Sequence, residues 1–300
     1  MSKKILITGA SGLVGSHLTN MLLQNGYRVV HVGRTKRAGK IPAFVWNVNT
    51  GEFDSQALEG VDAIINLAGA GVADKRWTES RKREILDSRV KSVALLNKVL
   101  NTVPHQVTTF VSASAVGYYG FGIGDEVFTE ADKSGSDFLA IVTRQWESEA
   151  DKICSHKIRV VKLRIGIVLS DKGGALAEMA KPVQWFVGAP LGRGNQYLSW
   201  IHMDDLCALF MKAVADETLR GAYNAVCGDW VTNKEMTKTI GKILGRPVWP
   251  PVPGFVLKLI LGEMANLVLL GSKVSADKIK QTGFQFRYTK LEEALKSLKL

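Results

Sequence analysis

Cysteine is scarce: Cys154, Cys207 and Cys227 are the only three in 300 residues, and no two form a Cys-x-x-Cys pair. A disulfide framework and a zinc site both need closer spacing, so neither is expected, and the thiols read as reduced and structural. The five histidines, His17, His31, His105, His156 and His202, show no pair at helical or hairpin ligand spacing, which argues against a tight metal site. Long apolar runs are lacking too. The best candidate, Phe255 to Leu270, is interrupted by Lys258 and Glu263 and falls short of the roughly 20 apolar residues that span a bilayer. A buried or interface helix pair is expected there, and no membrane partner. The opening MSKKILITG sets two lysines before apolar residues, but glycines break the run and no small-residue cleavage site follows. A first strand is expected there, and a cytoplasmic protein.

Charge is abundant and of one dominant sign, with 39 Lys and Arg against 28 Asp and Glu, a formal +11. Basic residues run from Lys36 to Lys299 without interleaved aromatics, and no helix-turn-helix or zinc-finger pattern accompanies them. Nucleic acid is therefore not the expected partner, and a bound anionic cofactor fits the charge better. The chain is long enough for one large core or two unequal ones.

Short β-branched runs alternate with longer helical patterns, the signature of a parallel sheet covered on both faces. Strands are predicted at Ile5–Thr8, Arg28–Gly33, Ala43–Trp46, Ala63–Leu67, Thr109–Ser112 and Val160–Ile165. Leu13, Val14, Leu18, Met21 and Leu22 share one helical face, and Gly26 supplies a left-handed stop. Long helices are predicted at Thr78–Val99 and Asp137–Ile153.

Between the first strand and the first helix stands Gly9-Ala10-Ser11-Gly12-Leu13-Val14-Gly15. One glycine suits a tight turn, one a close approach of backbone to a pyrophosphate, and one close packing of helix on sheet. The free N–H groups of the helix's first turn then face the phosphates. After the second strand, where an acidic residue would hold a ribose 2′-hydroxyl, the chain reads GRTKR, Gly33 to Arg37. Arg34, joined by Lys36 or Arg37, favours the 2′-phosphate of NADP(H) over NAD. Asn66-Leu67-Ala68-Gly69, at the end of a later strand, adds a small-residue edge beside the cofactor. The expected class is α/β, a Rossmann-type doubly wound parallel sheet with a smaller C-terminal α/β subdomain. Residues 1–170 are assigned to the cofactor domain, completed by segments around 200–240, and 171–300 mostly to an interleaved substrate-binding subdomain.

TGASGLVG, NLAG at Asn66 to Gly69, and SASAVGYYG at Ser112 to Gly120 resemble the short-chain dehydrogenase/reductase superfamily in its extended branch of epimerases and dehydratases. WIHMDDL (Trp200 to Leu206), YNAVCGDWVTNKEM (Tyr223 to Met236), GFQFRYTKLEEAL (Gly283 to Leu295) and ADKRW (Ala73 to Trp77) are similar to landmarks of an atypical epimerase-like family labelled sugar-nucleotide or NAD-dependent epimerase/dehydratase. The resemblance covers nearly the whole chain. It implies a catalytic serine, which falls on Ser114, and a Tyr-x-x-x-Lys pair on the following long helix, whose register falls on Leu139 and Thr143. Neither of these two side chains moves a proton or lowers a neighbour's pKa. Tyr118, Tyr119, His202 and Arg144 are the candidate replacements, Tyr119-Gly120 resembling the family's Tyr-Gly with one residue inserted. The family's diphosphate-gripping arginine corresponds to Leu198, with Arg193 a few residues upstream as a substitute; His202 is a second candidate substrate contact. Two readings stand: an NADP(H)-dependent oxidoreductase or epimerase acting on a small polar substrate such as a sugar nucleotide, as a monomer or homodimer, and an NADPH-sensing binding module.

Overall fold

The computed structural model describes residues 2–36, 39–120, 125–153 and 157–300, so Arg37, Cys154 and His156 lie outside the described residues. The first half runs β1 (Lys4–Thr8), α1 (Leu13–Gln24), β2 (Arg28–Gly33), β3 (Ala43–Asn47), β4 (Glu52–Phe53), β5 (Ala63–Asn66), α2 (Glu79–Thr102), β6 (Thr109–Ala115), β7 (Val127–Phe128), α3 (Phe138–Asp151) and β8 (Arg159–Ile165). The second half adds β9 (Ile167–Leu169), α4 (Ala175–Gln184), β10 (Tyr197–His202), α5 (Met203–Ala215), β11 (Gly221–Ala225), β12 (Trp230–Thr232) and α6 (Asn233–Leu244). It closes with α7 (Gly254–Leu261), α8 (Asn266–Leu269), β13 (Lys273–Val274), α9 (Asp277–Gln281) and α10 (Leu291–Lys296).

Eight strands form one sheet in the order β11-β8-β6-β5-β1-β2-β3-β4. All neighbours are parallel except the terminal β3–β4 pair. Burial on both faces explains why these strands read as continuous apolar runs: Ile5, Leu6, Ile7, Ile64, Ile65, Phe110 and Val111 are fully enclosed. Strand order reverses at β1, with β2 on one side and β5 on the other. That switch point opens a crevice at the C-terminal ends of the strands, where α/β sheets bind ligands.

Gly26, at φ +78°, ends the first helical segment where the side-chain pattern predicts a left-handed stop. The second half supplies both an edge strand and a cover to the same sheet. β11 pairs with β8, and α5 packs on α1. Arg159 on β8 donates to the Ala213, Val214 and Leu219 carbonyls, a cation placed at the C-terminal end of α5. A second apolar cluster, around Trp200, Leu198, Met236 and Ile240, lies among β9, β10, β12, α4, α6 and α10.

The Phe255–Leu270 segment forms the short helices α7 and α8, as a helix pair. α7, however, has no buried residue; Phe255 and Leu259 are 73% and 80% exposed. Val256, Leu257 and Leu261 are half-buried, so α7 packs only at the margin of the core and leaves Phe255 and Leu259 exposed. Among the described residues, no helix is long and apolar enough to cross a membrane.

Candidate cofactor and catalytic site

The glycine turn after β1 is fixed by contacts that leave no room for a side chain at two of its three glycines. Gly9 sits at φ +67°, and a Cβ there would lie 2.7 Å from the Leu67 carbonyl carbon and oxygen. A Cβ on Gly15 would lie 2.4 Å from the Gly9 oxygen. Gly12 differs: its φ of −76° suits any residue, and an added Cβ meets only the Gly9 oxygen, at 3.3 Å. Gly12 and Ser11 are exposed. Gly9 and Gly15 thus serve packing, and Gly12 keeps the outer surface of the turn bare.

Gly12 is the N-cap of α1; no side chain caps the helix and no acidic residue occupies its first turn. The Gly12 amide turns back onto the Gly9 carbonyl at 3.0 Å, and the next amide with a protein acceptor is that of Ser16. The amides of Leu13, Val14 and Gly15 have no acceptor among the described residues, so three aligned donors and the positive end of the helix dipole point outward from a bare turn. This arrangement fits a dinucleotide's pyrophosphate. Arg34, exposed just beyond β2, and exposed Lys36 supply positive charge next to it. On the other side of β1, Thr8 donates to Asn66 at 2.6 Å, and its oxygen takes the Leu67 amide, holding Leu67-Ala68-Gly69 against the turn. The Nδ2 group of fully buried Asn66 has no protein partner among the described residues.

The predicted catalytic hydroxyls of Ser114 and Tyr119 both have protein partners. Ser114, 3% exposed, donates to Glu147 Oε1 at 2.5 Å. Glu147, on the inner face of α3, is held in two-point fashion by Arg164 of β8, with Nε–Oε1 at 2.8 Å and Nη2–Oε2 at 2.9 Å. Arg164 Nη1 also donates to the Tyr119 hydroxyl at 2.9 Å, and that hydroxyl donates to Asn224 at 2.6 Å. A continuous buried chain Ser114–Glu147–Arg164–Tyr119–Asn224 results. Burial pushes the Tyr119 phenol up to about 12, against the opposing pull of Arg164, while Glu147 and Tyr119 together outweigh the burial penalty on the Arg164 guanidinium and raise its pKa. Both hydroxyls expected at the reacting oxygen, those of Ser114 and Tyr119, are engaged inside this ionic network. A charged pair beneath the sheet edge needs every donor and acceptor it can find, and these two are nearest.

Tyr118 is placed differently. Its ring lies flat beneath the Arg164 guanidinium, Cζ to centroid 3.5 Å, it is half-buried, and its hydroxyl has no hydrogen-bond partner among the described residues. Leu139 and Thr143 do meet the turn after β6: a Cβ on Gly117 would contact Leu139 Cβ at 3.4 Å and Thr143 Oγ1 at 3.9 Å. Thr143 spends its hydroxyl on the Leu139 carbonyl at 2.7 Å.

The remaining candidates separate. His202 is 3% exposed, accepts the Asp204 amide at 3.1 Å as N-cap of α5, meets Ser297 at 3.2 Å and stacks on Tyr288. Burial lowers its pKa, and its ring serves as the cap of α5. Leu198 lies in the second apolar cluster, so its position offers no grip on a ligand. Arg144 is exposed on the outer face of α3, away from Thr143 and Glu147. Arg193 is exposed beyond α4. Cys207 and Cys227 are buried, with burial pushing both thiols up, as structural thiols require. Among the described residues no group of His, Cys, Asp and Glu is placed to hold a metal.

A Rossmann-type sheet, a glycine cradle at its switch point and a serine-bearing strand end facing a long helix define an extended short-chain dehydrogenase/reductase. Comparisons with known proteins agree. Residues 5–144 match the model of the NAD dependent epimerase/dehydratase family, and residues 252–298 match a domain of unknown function, DUF1731. The Arabidopsis thaliana chloroplastic SDR39U1 homolog, an epimerase family protein, is 38% identical over 98% of this chain and 86% of its own length. The crystal structure of human epimerase family protein SDR39U1 with NADPH superposes with a TM-score of 0.88, at 30% identity and 98% coverage of both chains. A nucleoside-diphosphate sugar epimerase from Corynebacterium glutamicum matches with a TM-score of 0.81, 31% identity and coverage of 98% of this chain and 57% of that one. The chain belongs to the epimerase family of SDR39U1-type proteins.

Proposed function

We propose that the chain binds NADP(H) in the cradle after β1 and uses it in oxidoreduction or epimerisation of a small polar substrate, with nucleoside-diphosphate sugars as the class to test first. The observation that carries the cofactor choice is the exposed, carboxylate-free pair Arg34 and Lys36 beside the bare turn, where a 2′-hydroxyl would call for an acid. The NADPH found with the human relative supports it, and the name of the Corynebacterium relative supports the substrate class.

In this reading the amides of Leu13, Val14 and Gly15 hold the pyrophosphate, with Ser11 and Gly12 forming its approach. Arg34 and Lys36 hold the 2′-phosphate, and Leu67, Ala68 and Gly69 line the neighbouring edge. A bound nicotinamide supplies a hydride donor or acceptor. Tyr118 supplies the proton, because it alone of Ser114, Tyr118 and Tyr119 keeps a hydroxyl without a protein partner. Arg164 fixes the orientation of its ring, and Glu147, Ser114 and Tyr119 fix Arg164. Arg193, exposed beyond α4, is the candidate contact for a substrate diphosphate.

Arg34→Ala is expected to weaken NADPH about 10- to 100-fold while leaving NADH unchanged, since it removes charge-assisted bonds worth about 1.5 to 3 kcal/mol. Fluorescence titration of both cofactors decides it, and equal losses would make Arg34 structural. NADPH consumption over a panel of nucleoside-diphosphate sugars and simple carbonyl compounds tests the chemistry. Tyr118→Phe should then lower turnover about 100-fold or more, and Tyr119→Phe should act mainly on stability. The NADPH-sensing module is the second reading, favoured by Ser114 and Tyr119 facing inward and by Leu139 and Thr143 at the pair position. NADPH binding without turnover on that panel would select it.

A further inference from the structure

Arg89, on α2, is a cation without a matching anion. Its Nη1 donates to the carbonyls of Ala70 at 2.9 Å and Ile85 at 3.0 Å, while Nε and Nη2 have no partner among the described residues. Among the described residues no carboxylate lies within ion-pair distance of it. Its neighbour Arg81, by contrast, is matched to Glu84 at 2.6 Å. Arg164 is matched to Glu147, and Lys162 to Asp151 at 2.6 Å.

The guanidinium lies directly against the cofactor edge. A Cβ on Gly69 would sit 3.1 Å from Arg89 Cζ and 3.3 Å from Nη1, so the chain passes close over the guanidinium at this glycine. The other side of the guanidinium faces the Trp146 ring, 5.3 Å from its centroid, and the buried Trp146 Nε1 also lacks a partner among the described residues. In the sheet, β5 lies between β1, which carries the glycine turn, and β6, which leads to Gly117 and Tyr118. Arg89 therefore packs on the loop that follows the strand between the two. Arg89 is half-buried, and enclosure, with a smaller contribution from Arg81, pulls its pKa down to about 10. Structures rarely keep such a charge without a partner, and here the unpaired edge lies beside a crevice built for phosphates.

We propose that Arg89 is an oxyanion-binding residue of the site, taking a phosphate oxygen between the glycine turn and Tyr118. It rests on the reading of that crevice as the cofactor and substrate cleft, and the phosphate comes either from the cofactor's pyrophosphate or from a substrate diphosphate. Arg89 supplies three unused N–H donors, on Nε and Nη2, and an uncompensated charge, a set suited to phosphate.

The test uses the full chain with Arg89→Gln and Arg89→Lys, titrated with NADPH by fluorescence and with UDP and inorganic pyrophosphate by calorimetry. The UDP and pyrophosphate titrations are run with and without NADPH. A loss of NADPH affinity of about 10- to 100-fold in Arg89→Gln, largely recovered in Arg89→Lys, supports the proposal with the cofactor as source. Unchanged NADPH affinity with UDP or pyrophosphate binding lost in Arg89→Gln and recovered in Arg89→Lys supports it with the substrate as source. Glutamine still donates to the Ala70 carbonyl, so recovery by lysine separates charge from loop support. If Arg89→Gln fails to fold, Arg89→Lys alone should still weaken the ligand severalfold, since it loses the second donor. Unchanged affinity for all three ligands in folded variants overturns the proposal and leaves Arg89 as a pin for the Ala70 loop. Failure of the wild-type chain to bind NADPH, with UDP or pyrophosphate bound through Arg89, would instead overturn the cofactor reading.

Discussion

Gly12→Val is expected to stay folded and to lose NADPH binding by at least about 100-fold. Its backbone angles suit valine, and the new Cβ meets a single oxygen at 3.3 Å, a contact that a shift of a few tenths of an ångström relieves. The branched side chain would stand on the approach to the unpaired amides of α1. Losing two charge-assisted amide bonds, each worth about 1.5 kcal/mol or more, already exceeds a factor of 100. Gly15→Ala should do the reverse, because its Cβ would lie 2.4 Å from the Gly9 oxygen inside the packed turn. Overpacking of this kind costs about 1 to 3 kcal/mol, so the variant should melt earlier. NADPH titration beside thermal melts of the two variants checks the division. Retained NADPH binding in a folded Gly12→Val protein would remove the cradle from the site.

Glu147→Ala is expected to destabilise the chain by about 3 to 5 kcal/mol, the loss that follows when one partner of a buried ion pair is removed. Arg164, 4% exposed, would keep its bond to Tyr119 and face no carboxylate across the former pair. The double variant Glu147→Leu with Arg164→Met should recover much of the stability, since two apolar groups of similar size leave no orphan charge. It should not recover turnover, because Tyr118 would lose the guanidinium that orients it. Urea unfolding of both variants reads the difference. A loss below about 1 kcal/mol for Glu147→Ala would mean that water already reaches Arg164, as it does for exposed pairs.

The sheet was legible because its strands are short apolar runs and its long helices carry caps and a 3.6-residue period. Arg28–Gly33 matches β2 as predicted, and Thr78 and Asp137 stand as the N-caps of α2 and α3, their side chains accepting first-turn amides. The role of Gly26 was equally local. The direction of Ser114 was not, since a strand's alternation says which face a residue shares but not what waits on that face. Its partners come from α3 and β8 and meet only in the folded chain. One signal did exist: Lys162 and Arg164 interrupt an otherwise apolar strand, and charges in a buried strand require anions nearby. Tracing that requirement to Glu147 would have placed Ser114 and Tyr119 beside the same buried ion pair. Arg89 left no such trace, because it sits on a helix rich in charge and only the close passage of Gly69 distinguishes it. The pairing of β7 with β13 likewise joins segments too distant for any local pattern to couple.

The position of β11 also bears on how the chain is made. β8 stays an open edge of the large sheet until residues 221–225 have left the ribosome, and α1 waits nearly as long for its cover, α5 (Met203–Ala215). During that interval the nascent chain displays an apolar strand with unsatisfied backbone groups, the kind of edge that recruits other chains. Arg159, Lys162 and Arg164 all lie on that strand. The same cations that later cap α5 and anchor Glu147 would meanwhile repel a neighbouring copy, so the charges that stabilise the finished protein also guard its unfinished form.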